Sequence, residues 1–248
     1  MSTATVTHNT GYYGKVPVLG DFIKHNLPRS FIEPWDDWLQ QAITASKMQL
    51  GENWLDTYLT SPIYRFALSP GICSDHCWQG LMMPSVDRVG RYFPMTLCRK
   101  NEPGTNPLTL VLDEKAWFDQ AEQLIQWTLE NDFDTLKFNE QLNDLEIDGL
   151  IVDSKQETGN SDNRHLALRW GISPEVDLIT RMPEMLHRVL LECSFAYSVW
   201  WTDGSEEVEP SILICQGLPP LNGATALLDG NWDQWGWCDG DPNDPFAL

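Results

Sequence analysis

The chain has 248 residues, 42% of them hydrophobic and 21% charged, with a formal net charge of −20. This length allows one large domain or two small ones, and this composition excludes intrinsic disorder. The negative charge opposes nucleic acid and anionic lipid, so neither nucleic-acid binding nor membrane insertion is expected.

The charge is uneven. Residues 1–100 carry a net +1 and residues 101–248 a net −21. The acidic part reads as a solvating face, and the near-neutral N-terminal part is the candidate interaction surface. The polar start, Met1 to Thr10, is expected to be flexible and has neither the basic region nor the apolar core of a secretory signal. The apolar stretch Val189–Trp201 is short and broken by Glu192, so a cytoplasmic location is expected.

Gly11-Tyr-Tyr-Gly-Lys-Val-Pro-Val-Leu-Gly-Asp-Phe22 packs glycine, proline, aromatic and charged residues into one short run. Such a mix suits sharply turned backbone that displays fixed polar groups. A helix follows. Ser30 and Glu33 have capping-box spacing, with a start at Glu33 and Pro34 as the alternative. Phe31, Trp35, Trp38, Leu39, Ala42 and Ile43 then share one helical face. A short second helix carries Trp54, Leu55, Tyr58 and Leu59.

Strands are expected at 63–68, 78–83 and 93–99, punctuated by Pro62, Ser69-Pro70-Gly71 and Pro84. Val86 to Tyr92 reads as the connection between the last two, with Gly90 free to take a positive φ. Residues 101–107 form a surface loop and a possible sub-boundary, and Leu108 to Leu112 reads as another strand. Trp117, Ala121, Leu124, Ile125 and Leu129 mark a strong amphipathic helix between Asp113 and Glu130, and Leu136, Leu142 and Leu145 a third. Short strands are expected at 149–152 and 165–170, with a polar loop at 154–164 between them. A helix at 183–195 and strands at 197–202 and 211–215 close the pattern before an irregular tail. The expected fold is α/β: one unit over residues 11–237, with a mixed central sheet and helices on its faces.

The search for chemistry yields little. There is no Walker-type Gly-Lys-Ser/Thr, no Gly-x-Ser-x-Gly and no His-Glu-x-x-His, and the five histidines are scattered singly. Cys73-Ser-Asp-His-Cys77 offers three zinc-type ligands, but a structural site needs four and no matching pair follows. The six cysteines therefore read as free thiols; no metal, cofactor or catalytic residue is expected, and the chain is not expected to be an enzyme. The cluster Ser85, Asp87, Arg88 and Arg91 has two readings: a salt bridge that stiffens a turn, or an outward face for a partner or anion. For Lys15 and Asp21 turn stabilisation is the favoured reading, with partner contact as the alternative.

At these residues the chain resembles the type VI secretion accessory proteins called TagF or ImpM. The resemblance rests on Gly-Tyr-Tyr-Gly-Lys-Val-Pro with Gly20-Asp21-Phe22, Leu27-Pro-Arg-Ser-Phe31 and Pro34-Trp-Asp-Asp-Trp-Leu39. It continues through Trp54-Leu-Asp-Thr-Tyr-Leu-Thr-Ser-Pro62, Arg65-Phe-Ala-Leu68 and Met83-Pro-Ser-Val-Asp-Arg-Val-Gly-Arg-Tyr-Phe-Pro94. Looser matches follow at Trp200-Trp-Thr-Asp-Gly-Ser205, Gly217-Leu-Pro-Pro220 and Leu227-Leu-Asp-Gly-Asn-Trp232, and little at 101–180. The resemblance implies a single α/β unit and a non-catalytic, post-translational repressor. It also implies a forkhead-associated scaffold as partner, in a pathway with a Ser/Thr kinase and a phosphatase. Lys15, Asp21, Asp87, Arg88, Arg91 and Tyr92 are the candidate partner-binding residues. The rival expectations are a structural adaptor of the secretion machine, or a hydrolase or transferase holding an anionic substrate at the 84–94 arginines.

Overall fold

Alternation along the strands decides how this chain layers. The computed structural model describes residues 9–102, 104–147, 178–193 and 196–238. Seven strands form one sheet: β1 (Thr10–Gly14), β2 (Ile23–His25), β3 (Tyr64–Leu68), β4 (Trp78–Met83), β5 (Met95–Lys100), β6 (Tyr197–Thr202) and β7 (Ser211–Gln216). Their order across the sheet is β2-β1-β5-β4-β3-β6-β7. The α/β unit with a central sheet is as expected; each of its pairings is antiparallel rather than mixed in sense. Single connections without a crossover helix join β3 to β4, β4 to β5 and β6 to β7, and such links return the chain antiparallel.

Successive side chains point to opposite faces of a strand, so both faces are apolar where both are covered. On one face Tyr13, Phe66, Leu68, Cys98 and Trp200 meet helix α1 (Arg29–Leu50) through Phe31, Trp35, Trp38 and Leu39. On the other, Tyr12, Leu81, Met83, Met95 and Leu97 meet α4 (Lys115–Trp127) and α5 (Thr135–Ile147). The aromatic face expected of α1 is the one it buries. Trp35 is fully buried, lies parallel to Trp200 at 5.8 Å between ring centres, and donates its indole N–H to Thr96 Oγ1 at 2.9 Å. Trp38 donates to the Pro219 carbonyl at 2.9 Å. Buried indoles thus find the partner that their single donor requires.

Four local expectations are corrected. Thr10–Gly14 is a strand inside what reads as a loop. The Ser30–Glu33 box does not form: α1 starts at Arg29, behind Pro28, with no side-chain cap and with Pro34 inside its first turns. Leu108 to Leu112 is not a strand but part of α3 (Pro107–Asp113). Asn106 caps that helix by accepting the Leu108 N–H at 2.9 Å, and Pro107 sits where its missing N–H costs nothing. The helix placed between Asp113 and Glu130 is shorter, ending at Trp127. Residues on the two sides of 101–107 share one core: Tyr12 and Leu97 pack with Trp117 and Phe138.

Helix α2 (Trp54–Thr60) stands where expected, α6 (Leu178–Cys193) starts five residues earlier than the 183–195 read from the sequence, and α7 (Ala226–Asp229) adds one short turn. The strands expected at 149–152 and 165–170, the loop at 154–164, and most of the N-terminal and C-terminal segments lie outside the described residues. No helix among the described residues is long and apolar enough to cross a membrane.

Candidate functional site

Strand β1 runs antiparallel to β5, with Tyr13 opposite Thr96 and Gly11 opposite Cys98. The end of β1 therefore arrives beside the start of β5. That places the β1–β2 connection and the β4–β5 connection at one end of the sheet, although about seventy residues separate them. The backbones come very close: a Cβ on Gly14, which has φ 152°, would stand 2.4 Å from the Pro94 carbonyl. Only glycine fits there.

The two connections interlock around Asp87, whose side chain is out of solvent. Its Oδ1 accepts the backbone N–H groups of Val89 at 3.0 Å and Arg91 at 2.9 Å. Its Oδ2 accepts from Arg91 Nε at 2.7 Å and faces Lys15 Nζ at 3.0 Å. Burial pushes the Asp87 carboxyl up, but the donors from Arg91, Lys15 and Val89 outweigh it and hold the group well below the usual carboxylate range. The turn closes with Gly90 N–H on the Asp87 carbonyl at 2.9 Å, and Gly90 takes φ 86°.

Further bonds zip loop to loop. Arg88 N–H donates to the Leu19 carbonyl at 2.9 Å, Arg91 Nη2 to the Gly20 carbonyl at 2.5 Å, and Ser85 Oγ to the Lys15 carbonyl at 2.7 Å. Helix α2 supports the base. The Tyr58 hydroxyl donates to the Ser85 carbonyl at 2.9 Å and accepts the Ser85 N–H at 3.0 Å, a two-way clamp. Tyr92, half-buried, packs edge-on against Trp54 and Tyr58. Phe22 stacks on Tyr13 at 5.3 Å and meets Phe93 edge-on at 4.9 Å, with the Lys15 ammonium 4.9 Å from its ring centre.

The six candidate residues thus come together but do different things. Lys15 and Asp87 are buried ties beneath the surface. Asp21 is exposed and accepts the Phe22 N–H at 2.8 Å, which fixes its own turn. Arg91 is half engaged in the tie, with 57% of its side chain exposed. Arg88 is exposed, and its guanidinium has no ion-pair partner among the described residues. Around it stand Val89, 65% exposed, and the partly exposed Leu19 and Phe22. The result is a rigid crest with an apolar summit and arginine at its rim. Sequence reasoning named Ser85 with the arginines but missed its bonds to Tyr58 and Lys15, and missed Gly20, because these contacts depend on which elements are neighbours in the fold.

The cysteine pair is built differently. Cys73 and Cys77 are buried, and burial pushes the Cys73 thiol up to about 12. His76 Nδ1 instead faces Asp75 at 2.6 Å. No group of three metal-ligating side chains forms among the described residues.

The motifs that carry this crest define a class of protein associated with type VI secretion. Residues 11–145 match the family described as the TagF N-terminal domain, Type VI secretion system-associated. The chain belongs to that family. Its fold is similar to the crystal structure of PA0076 from Pseudomonas aeruginosa PAO1, with a TM-score of 0.76 and 35% sequence identity over 90% of this chain and 94% of that one. No curated protein matches the chain.

Proposed function

We propose that this protein is a non-catalytic accessory factor that represses type VI secretion after translation, by binding and sequestering a forkhead-associated scaffold protein in the cytoplasm. The observation that carries the reading is the crest. Asp87, Lys15 and Arg91 fix two loops into one shape, and that shape exposes Val89, Leu19 and Arg88 instead of burying them. Arginine is enriched among the residues that dominate contact surfaces, and the exposed Val89, Leu19 and Phe22 beside it offer apolar area to bury with it. A preformed surface also binds without the entropy cost of ordering a loop.

Sequestration needs no chemistry. A protein that occupies the scaffold's assembly-competent surface lowers the free scaffold by mass action, and it works when its concentration and affinity exceed those of the competing partner. The pathway kinase and phosphatase would then set how much scaffold is available.

The test is capture on the tagged full chain from a lysate with an active type VI system, with the bound proteins identified by mass spectrometry. Stoichiometric recovery of a forkhead-associated scaffold, lost in an Arg88→Glu/Val89→Asp variant, is the expected result. Recovery of sheath or baseplate components in its place would make the protein an assembly adaptor.

A further inference from the structure

Strand β7 ends the sheet, and among the described residues no strand pairs with its outer edge. Its register with β6 places Tyr197 opposite Gln216 and Thr202 opposite Ser211. One step beyond, Gly217 N–H donates to the Ala196 carbonyl at 3.0 Å. Bonded pairs recur at every second residue of an antiparallel ladder, so Ser211, Leu213 and Cys215 turn their N–H and C=O groups toward β6. Ile212, Ile214 and Gln216 turn theirs outward. The far side of β6 agrees: Tyr197 directs its N–H and carbonyl to Ser69, away from β7.

Exposed edges are normally guarded by lysine, proline or an inward charge. Ser-Ile-Leu-Ile-Cys-Gln has none of these. Ile212 is 63% and Ile214 45% exposed, on the face that also carries Val199 and Trp201. The charge beside the strand is placed at one end. Asp203, Glu206, Glu207 and Glu209 are exposed before β7, whereas Gly217 to Pro220 after it carry no charge.

We propose that β7 is a self-association edge, at which a second copy of this chain pairs antiparallel about a two-fold axis through Ile214. In that register Ile214 faces Ile214 of the partner subunit and Ile212 faces Gln216 of the partner subunit. Every outward N–H and C=O of β7 is then used. An axis normal to the sheet keeps the isoleucines of both copies on one face, where they form a single apolar strip. It also sets each acidic turn against the uncharged end of the other strand. A parallel arrangement would bring the acidic turns together. The crest lies toward the opposite side of the sheet, so the pair would present two crests, independently of what they bind.

Sedimentation of the full chain over a concentration series tests this, at about 0.05 M and about 0.5 M salt, because screening relieves repulsion between two chains of charge −20. The expected mass rises from 28.3 kDa toward twice that value, at lower protein concentration in high salt. Ile214→Pro deletes one outward N–H and spares the ladder to β6; association is expected to weaken roughly tenfold or more. Ile214→Lys sets two like charges at the axis and gives the same result if the proline variant does not fold. Amides of Ile212, Ile214 and Gln216 should gain exchange protection only as the protein concentrates. A single 28.3 kDa species throughout at high salt would overturn the proposal. So would folded variants that associate like the parent, or edge amides protected equally at every concentration.

Discussion

Lys15 Nζ lies 3.0 Å from Asp87 Oδ2, with side chains 7% and 0% exposed, and this contact joins two loops that belong to different hairpins. A buried charge left without its counter-charge is costly, whereas the intact pair contributes shape more than net stability. The contact is therefore best understood as the fastener of the crest.

Asp87→Asn should destabilise the protein more than Lys15→Met, because asparagine strands a buried ammonium and a guanidinium, while methionine fills the lysine's space without a charge. The pH dependence follows from the direction of the Asp87 shift. Its folded carboxyl titrates below the ordinary 3.8, so its contribution is complete above that pH and fades as pH falls through the folded value. Urea midpoints at neutral pH should separate parent from Asp87→Asn, and the gap should narrow as the pH falls below 3.8. A gap that stays constant to low pH would contradict the tie.

Tyr58→Phe removes both halves of the clamp on Ser85 and leaves its buried N–H unmet, while the Ser85 carbonyl keeps the Phe93 N–H at 3.1 Å. The expected loss is about 1–3 kcal/mol by denaturant titration. Amide exchange should quicken in residues 84–94 before it does in the sheet, because the lost bonds anchor the hairpin and not the core.

Much of this arrangement was legible from local pattern, and the rest was not for a definite reason. Phe31, Trp35, Trp38 and Leu39 announce the buried face of α1 by their spacing alone, and Pro84 with Gly90 marks the β4–β5 turn. Leu108 to Leu112 misleads because a short apolar run fits strand or helix equally; Asn106-Pro107, a cap followed by an N1 proline, was the signal that decides it. That Lys15 meets Asp87 depends on β1 lying beside β5, and that Tyr58 meets Ser85 depends on where α2 packs against the β4–β5 connection. Strand order is a property of the whole sheet, and no local period encodes it.

Thr96→Val keeps the size of the side chain but withdraws the acceptor from the fully buried Trp35 indole. The orphaned N–H should cost about 1–3 kcal/mol, with near-UV circular dichroism of the tryptophan cluster retained. A variant as stable as the parent would mean that the indole finds another acceptor.

The thiols should divide into two groups. Cys193 and Cys238 are exposed, whereas Cys73, Cys77, Cys98 and Cys215 are buried. Burial raises the thiols of Cys73 and Cys215 to about 12, so almost no thiolate exists at neutral pH. Ellman's reagent should react quickly with two thiols per native chain and with the other four only after denaturation. Fast reaction of Cys73 or Cys77 in the native protein would show that their segment opens.

Arg88 and Arg91 are neighbours in the crest with different duties, and charge reversal should separate them. Arg88→Glu alters an exposed side chain that has no ion pair among the described residues, so stability should stay within about 0.5 kcal/mol while scaffold capture falls. Arg91→Glu sets a carboxylate against the buried Asp87 and breaks the bond to Gly20, so it should lower stability as well. Thermal melts and capture, measured on both variants, distinguish a contact residue from a fastener. If Arg88→Glu captured the scaffold as the parent does, the crest would not be the contact face. Loss of capture by Arg91→Glu alone would then report only the collapse of the loop.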